Sequence, residues 1–160
     1  MSSLNDAARE PRRWPMRCLR ISLTVTAILM FGQAVLAGLF MGGEPSAFAW
    51  HREMATVAGI ALIVSIVAAI LARRLGRAPR WPIWATVALL ALMSLLAFAG
   101  FRSLTALHVP LAVIVILLAA SLAAWAWRYQ PVAAAATDPR APGGDSDSAR
   151  TESATPTRAF

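Results

Sequence analysis

Apolar residues in this chain are gathered into four long blocks that are separated by short polar segments. The blocks cover residues 21–42, 54–72, 83–101 and 107–127. At about 1.5 Å of rise per residue, a helix of about 20 residues crosses a hydrocarbon core of roughly 30 Å. Continuous apolar blocks favour lipid-facing helices over helices of a soluble core, which show an amphipathic period. The pattern therefore predicts an all-α fold, a bundle of four antiparallel transmembrane helices arranged as two hairpins.

Polar segments flank this bundle on both sides. Residues 1–20 carry five arginines, and we expect them to form a basic cytoplasmic flank. Residues 129–160 are rich in Ala, Pro, Gly, Ser, Thr and Asp and contain little to bury, which predicts a disordered cytoplasmic tail. The transmembrane domain then comprises residues 21–128.

The 15 basic residues are all arginine, and their distribution predicts the orientation. Polar segments lie alternately on the two sides of the membrane. The side that includes both termini carries thirteen arginines, and the other side carries only Arg52 and Arg102. By the positive-inside rule, both termini should be cytoplasmic in an inner, multi-pass membrane protein. The loop from Gly43 to Arg52 and the turn at Arg102 should then lie outside.

The formal charge of +7 bears on possible partners. Because the arginines cluster beside apolar blocks, they suit anionic lipid headgroups, so we expect the bilayer as partner and no nucleic acid. A redox or membrane protein partner stays open. No block contains Asp, Glu, Lys or Arg, which argues against ion-coupled transport because transporters need ionisable groups at depth.

Small and polar residues within the blocks predict how the helices pack. Small side chains recur at helical spacing, and such stripes let helices approach closely; they are Ala34, Gly38 and Gly42, then Ala55 and Gly59, then Ala61, Ser65 and Ala69. Gln33 is the most polar residue inside a block. Its amide needs a partner, which predicts a helix-to-helix hydrogen bond, with Ser65 or Ser94 as candidates.

The chain has two histidines, and they are predicted to lie at one depth. His51 stands at the start of the second helix and His108 at the start of the fourth. His51 precedes Arg73 by 22 positions and His108 precedes Arg128 by 20. At 1.5 Å per residue, the heights of the imidazoles differ by only about 3 Å. Both helices run from outside to inside, so the two rings should face each other across the bundle.

Two facing neutral imidazoles are what six-coordinate haem b requires. We therefore predict His51 and His108 as axial ligands of a haem b that serves electron transfer. Arg52 and Arg102 lie at the same edge and are candidate partners for its propionates. Small residues below the histidines provide room for a porphyrin, and they are Ala55, Ala58, Gly59 and Ala112.

Other interpretations of the histidines stay open. Interfacial histidines need no ligand, since water, a headgroup or a carbonyl satisfies them. A divalent metal would require further ligands, for which Glu44 and Glu53 are the nearest acidic residues. The chain would otherwise be a non-catalytic membrane scaffold or partner subunit with no cofactor, packed through its small-residue stripes. No catalytic residue is predicted.

Several segments resemble small four-helix membrane proteins of GC-rich bacteria, for which no activity is established. They are Gln33-Ala34-Val35-Leu36-Ala37-Gly38, His51 followed by Gly59, and Leu107-His108-Val109-Pro110-Leu111, and the resemblance covers roughly residues 20–128. The histidine layout also resembles one half of haem A synthase and, more loosely, other four-helix membrane b cytochromes. That synthase has a glutamate where this chain has Ala47, and it fuses two such halves. The resemblance thus implies haem binding, electron transfer or haem sensing rather than synthase activity.

Overall fold

A computed structural model of the protein describes residues 13–130, which form four α-helices. The helices are α1 (Trp14–Met41), α2 (Ser46–Gly76), α3 (Trp81–Phe101) and α4 (Thr105–Arg128). The described part contains no strand, and each helix is long and apolar enough to cross a membrane. The predicted all-α class and four-helix membrane architecture are therefore confirmed. The predicted tail beyond residue 130 and the first 12 residues of the basic flank lie outside the described residues.

The second helix begins earlier than its apolar block. Much of the predicted loop from Gly43 to Arg52 is helical, because α2 starts at Ser46 directly after Pro45. Residues 46–58 contain neither glycine nor proline, so nothing interrupts the helix before the apolar block. His51 consequently lies on the second turn of α2 instead of at its start. His108 does lie on the first turn of α4, as expected.

The two hairpins begin with the same three residues and have the same hydrogen bonds in their turns. Arg13-Trp14-Pro15 begins α1 and Arg80-Trp81-Pro82 begins α3, with each proline in a first turn that does not need its missing N–H. Three successive N–H groups in each turn then donate to equivalent carbonyls. Those of Gly42, Gly43 and Glu44 bind the oxygens of Gly38, Phe40 and Leu39, and those of Arg102, Ser103 and Leu104 bind the oxygens of Phe98, Gly100 and Ala99. Gly43 and Ser103, at the same step of the turn, both have positive φ.

The helices are arranged around the bundle in chain order. α1 packs against α2 and α4, and α3 packs against the same two helices, whereas the main chains of the diagonal pairs α1/α3 and α2/α4 are not adjacent. We call the end with the two hairpin turns the histidine end and the opposite end the arginine end. Because α2 and α4 are diagonal, their inward side chains meet in the bundle interior.

Packing is uneven along the bundle axis. The largest buried side chains lie toward the arginine end, and they include Leu19, Leu23, Leu62, Leu89 and Val115. α1 contributes no buried residue beyond Met30. At the histidine end the buried side chains are few and small, such as Ala47 and Ala99. The bundle is thus filled near the arginine end and hollow near the histidine end.

Polar contacts close the arginine end between α1 and α4. The Arg20 guanidinium donates to the main-chain oxygens of Ala126 and Tyr129 over 2.9 Å each. The Trp127 indole N–H donates to the Thr24 hydroxyl over 3.0 Å. The two Arg20 bonds satisfy main-chain oxygens at the end of α4, where carbonyls lack a partner within the helix.

Thr26 and Ser65 join α1 to α2 within the filled half, and their bond provides a test of this packing. Their hydroxyl oxygens are 3.1 Å apart and both residues are fully buried. Ser65 also donates to the Ala61 carbonyl, so its oxygen is left to accept from Thr26. We expect Thr26→Val to lower the free energy of unfolding by about 1 kcal/mol, a typical value for interhelical bonds in membranes. Steric-trap unfolding in detergent measures it, with Ser94→Ala as control because Ser94 bonds only within its own helix; an unchanged free energy would contradict the role assigned to this bond.

Candidate functional site

The two histidines meet in the hollow part of the bundle. Their ring centroids lie 6.4 Å apart and their planes are inclined by 59°. The prediction that they face each other across the bundle is confirmed. Whether they bind a group between them stays a prediction at this point.

Each imidazole is held by the other helix of its own hairpin. Nδ1 of His108 lies 2.9 Å from the Leu96 main-chain oxygen, and Nδ1 of His51 lies 3.2 Å from that of Gln33. Because a carbonyl only accepts, we assign the proton of each neutral ring to Nδ1. Nε2 of each ring then carries a free lone pair. No residue among 13–130 forms a hydrogen bond with either Nε2.

Two adjoining cavities surround the rings, and both histidines line both of them. The inner cavity, of about 280 Å³, extends toward the filled half and is bounded by Met30, Met93 and Val115. The mouth cavity, of about 400 Å³, extends toward the hairpin turns and is bounded by Arg52, Phe101 and Ser103. Small-molecule sites in proteins usually measure about 300–1,000 Å³. Together the cavities offer room for a ligand that extends on both sides of the histidine pair.

The inner cavity is almost entirely apolar. Its only polar side chains are Gln33, His51 and His108. Two of the predicted small residues, Ala55 and Ala112, line it. The other two do not, since Ala58 is fully buried and Gly59 faces the Met93 methyl group. Space therefore opens beside the rings, while helix contacts close it further down α2.

The small-residue stripe of α1 does not form the predicted packing seam. Ala34 and Gly38 line the inner cavity, and a Cβ added at Gly38 would meet nothing within 4 Å. Ser65 and Ala69 on α2, by contrast, are buried in the core as expected. The α1 stripe thus leaves space open at the histidine end instead of bringing two helices together.

Gln33 forms the predicted helix-to-helix contact, but not with a serine. With its carboxamide nitrogen toward α2, it donates to the His51 carbonyl over 3.0 Å and accepts from the Ala55 N–H over 3.1 Å. Ser65 binds Thr26 instead, and Ser94 binds the Leu90 carbonyl. The predicted partners were wrong because helix lengths alone do not define which faces of α1, α2 and α3 meet.

Gly100 is a site residue that the sequence analysis missed. A Cβ at this position would lie 2.9 Å from Cε1 and 3.0 Å from Nδ1 of His108. The imidazole therefore packs directly on the bare backbone of α3. The available signal was a glycine near the end of an apolar block. In the structure its φ is not positive, so the turn does not require a glycine there.

Charged side chains near the pair differ in their relation to the cavities. Arg52 lines the mouth cavity, whereas Arg102 lines neither cavity.

Glu44 accepts a 2.6 Å hydrogen bond from the Ser46 hydroxyl, which lowers the pKa of its carboxyl. Among residues 13–130 no three His, Cys, Asp or Glu side chains cluster as metal ligands. The additional acidic ligands that a divalent metal would need are thus not assembled in the described part of the chain.

Comparison of the chain with protein-family models, with curated proteins and with solved structures found no match. Its function therefore has to be argued from the two imidazoles and the space around them.

Proposed function

We propose that this membrane protein binds one haem b between His51 and His108 and transfers electrons through it. The distance between the rings carries the proposal. An iron bound to both rings, with metal–imidazole bonds of roughly 2 Å, would place its two nitrogens about 4 Å apart and the ring centres about 6 Å apart. The observed centroid separation is 6.4 Å. The inclination of 59° is no obstacle, since the planes of two imidazoles that bind one metal from opposite sides need not be parallel.

The protonation state assigned to the rings also supports the proposal. Imidazoles that bind metal usually donate their other N–H to a carbonyl or carboxylate, which fixes the tautomer and makes the ligating nitrogen more basic. His51 and His108 both have such a bond, to Gln33 and Leu96 respectively. Nε2 of each ring is the atom left for iron.

The cavities match the two chemical parts of haem. An apolar macrocycle suits the inner cavity, with its alanines, methionines and valines. The propionates suit the mouth cavity, where Arg52 supplies a charge for an ion pair. Arg102 is the weaker candidate because it does not line this space. Empty apolar space forfeits packing contacts, so a filled cavity accounts for the hollow end better than a bare scaffold does.

Ligation by two imidazoles favours one chemistry. Haem supplies reversible one-electron transfer when both axial positions are held, because no position is open for O₂ or a substrate. The protein's residues hold the two ligands from opposite sides and keep water away with apolar walls. We further propose that the histidine end faces outside and both termini face the cytoplasm, which the excess of arginine at the other end supports.

Optical spectroscopy of the purified protein tests the proposal. After reconstitution with haem b in mild detergent, we expect one haem per chain, a b-type reduced-minus-oxidised spectrum and a low-spin ferric electron paramagnetic resonance signal. The reduced protein should not bind carbon monoxide, because both axial positions are held. Haem titrated into empty micelles is the control. A protein that stays colourless after reconstitution would leave the scaffold interpretation in place of this one.

A further inference from the structure

Gln33 contacts the main chain of α2 at the turn that carries His51. Its carboxamide joins the His51 carbonyl and the Ala55 N–H, the two main-chain groups that a helical hydrogen bond connects at this turn. Its own main-chain oxygen accepts from Nδ1 of the same histidine. One residue of α1 thus holds both the backbone and the ring of His51.

The second imidazole has no such side-chain clamp. His108 donates to the Leu96 carbonyl and rests on Gly100, so only main-chain atoms hold it from α3. The two rings are therefore held differently, although their hairpins turn alike. His51 is the histidine whose helix turn is held by a side chain.

The carboxamide also bears on where the His51 proton resides. Its nitrogen lies 3.1 Å from Nδ1 as well as 3.0 Å from the His51 carbonyl. If it donated to Nδ1, the ring proton would move to Nε2 and remove the lone pair that a metal needs. The Gln33 main-chain oxygen accepts from Nδ1, so it holds the ring proton there and leaves Nε2 free. The carboxamide then donates to the His51 carbonyl and holds the helix turn that carries the ring.

We propose that Gln33 is a positioning residue that controls whether His51 binds the iron, and so whether the haem is six-coordinate or open on one side. This inference rests on the proposed haem site. It makes the number of ligands on the iron depend on a residue that does not itself bind the iron. Loss of the carboxamide frees the turn at His51 from α1, so that only the bond from Nδ1 to the main-chain oxygen of residue 33 still holds the ring. The His108 bond is unaffected, so haem stays bound through one ligand.

Gln33→Met tests this inference because methionine preserves the length of the side chain and removes its hydrogen bonds. In the full-length protein reconstituted with haem b, we expect a mixed high-spin and low-spin spectrum and carbon monoxide binding in the reduced state. Haem affinity should fall roughly 10–100-fold, the usual effect of losing a second-shell partner. Gln33→Asn, whose shorter side chain cannot span both main-chain groups, should show the same spectral change and serves if the methionine variant is unstable.

Ser94→Ala is the matched control, since Ser94 is polar and exposed on α3 and bonds only within its helix. Its spectrum should equal that of the unsubstituted protein. Thermal unfolding of each variant separates a local change at His51 from a general loss of structure. A low-spin spectrum in the unsubstituted protein that both Gln33 variants retain would overturn the role of Gln33, whereas a colourless unsubstituted protein would overturn the haem site itself.

Discussion

Replacing either histidine with alanine is expected to abolish the six-coordinate, low-spin haem spectrum. In the proposed site each ring would bind the iron from one side of the 6.4 Å gap, so neither could take over the other's role. The variants His51→Ala and His108→Ala should keep at most a five-coordinate haem that binds carbon monoxide. Affinity should fall by more than the roughly 10–100-fold that a lost second-shell partner costs. The double variant should bind none.

Titration of haem into each purified variant, followed by absorption and paramagnetic resonance, measures both effects. Glu53→Gln is a suitable control because Glu53 is exposed, neighbours His51 in sequence and lines neither cavity. Free imidazole should restore the low-spin signal to the single variants by filling the vacated space. Alanine variants with the spectrum of the unsubstituted protein would show that other residues bind the haem.

Gly100→Ala is expected to impair the site without weakening the helix. The new methyl group would lie 2.9 Å from Cε1 of His108, which is closer than the ring tolerates. The imidazole has to move away from α3, and its 2.9 Å bond to the Leu96 carbonyl is lost. We expect haem affinity to fall at least about 10-fold, as when other second-shell bonds are removed, with a high-spin component in the spectrum.

The stability of the haem-free protein should change little. Alanine is a better helix former than glycine by about 0.8–1.0 kcal/mol, and this gain is offset by the lost His108 bond, which is worth about 1 kcal/mol. Gly32→Ala provides the control, since a Cβ there meets nothing within 4 Å. It should gain helix stability with no offsetting loss and retain the low-spin spectrum. If Gly100→Ala bound haem as tightly as Gly32→Ala, the contact between His108 and the α3 backbone would not matter for binding.

The coarse architecture follows from the sequence because its physical cause is local. Long uncharged blocks have to form helices in a bilayer, where every main-chain polar group needs a partner within the helix. The equal depth of His51 and His108 also follows, since both helices run the same way, from a turn to Arg73 in one case and to Arg128 in the other. Counting residues therefore predicted that the rings meet, and the structure confirms it.

The rotation of each helix about its axis does not follow from the sequence. In a soluble protein an apolar stripe marks the inward face, but lipid makes the outward face apolar too. On α3, Leu89 is buried while Leu95 is 47% exposed, and nothing in the residue type distinguishes them. For the same reason the partner of Gln33, the open stripe at Gly38 and the bare surface at Gly100 became visible only in three dimensions.

The two hairpins divide the candidate site between them. Both begin with Arg-Trp-Pro, both turn with one hydrogen-bond pattern, and each presents one imidazole whose Nδ1 donates to the main chain of its first helix. Neither hairpin contains both rings, so the 6.4 Å gap between them exists only where the two hairpins pack together. Assembly of the bundle and formation of the gap are therefore one event.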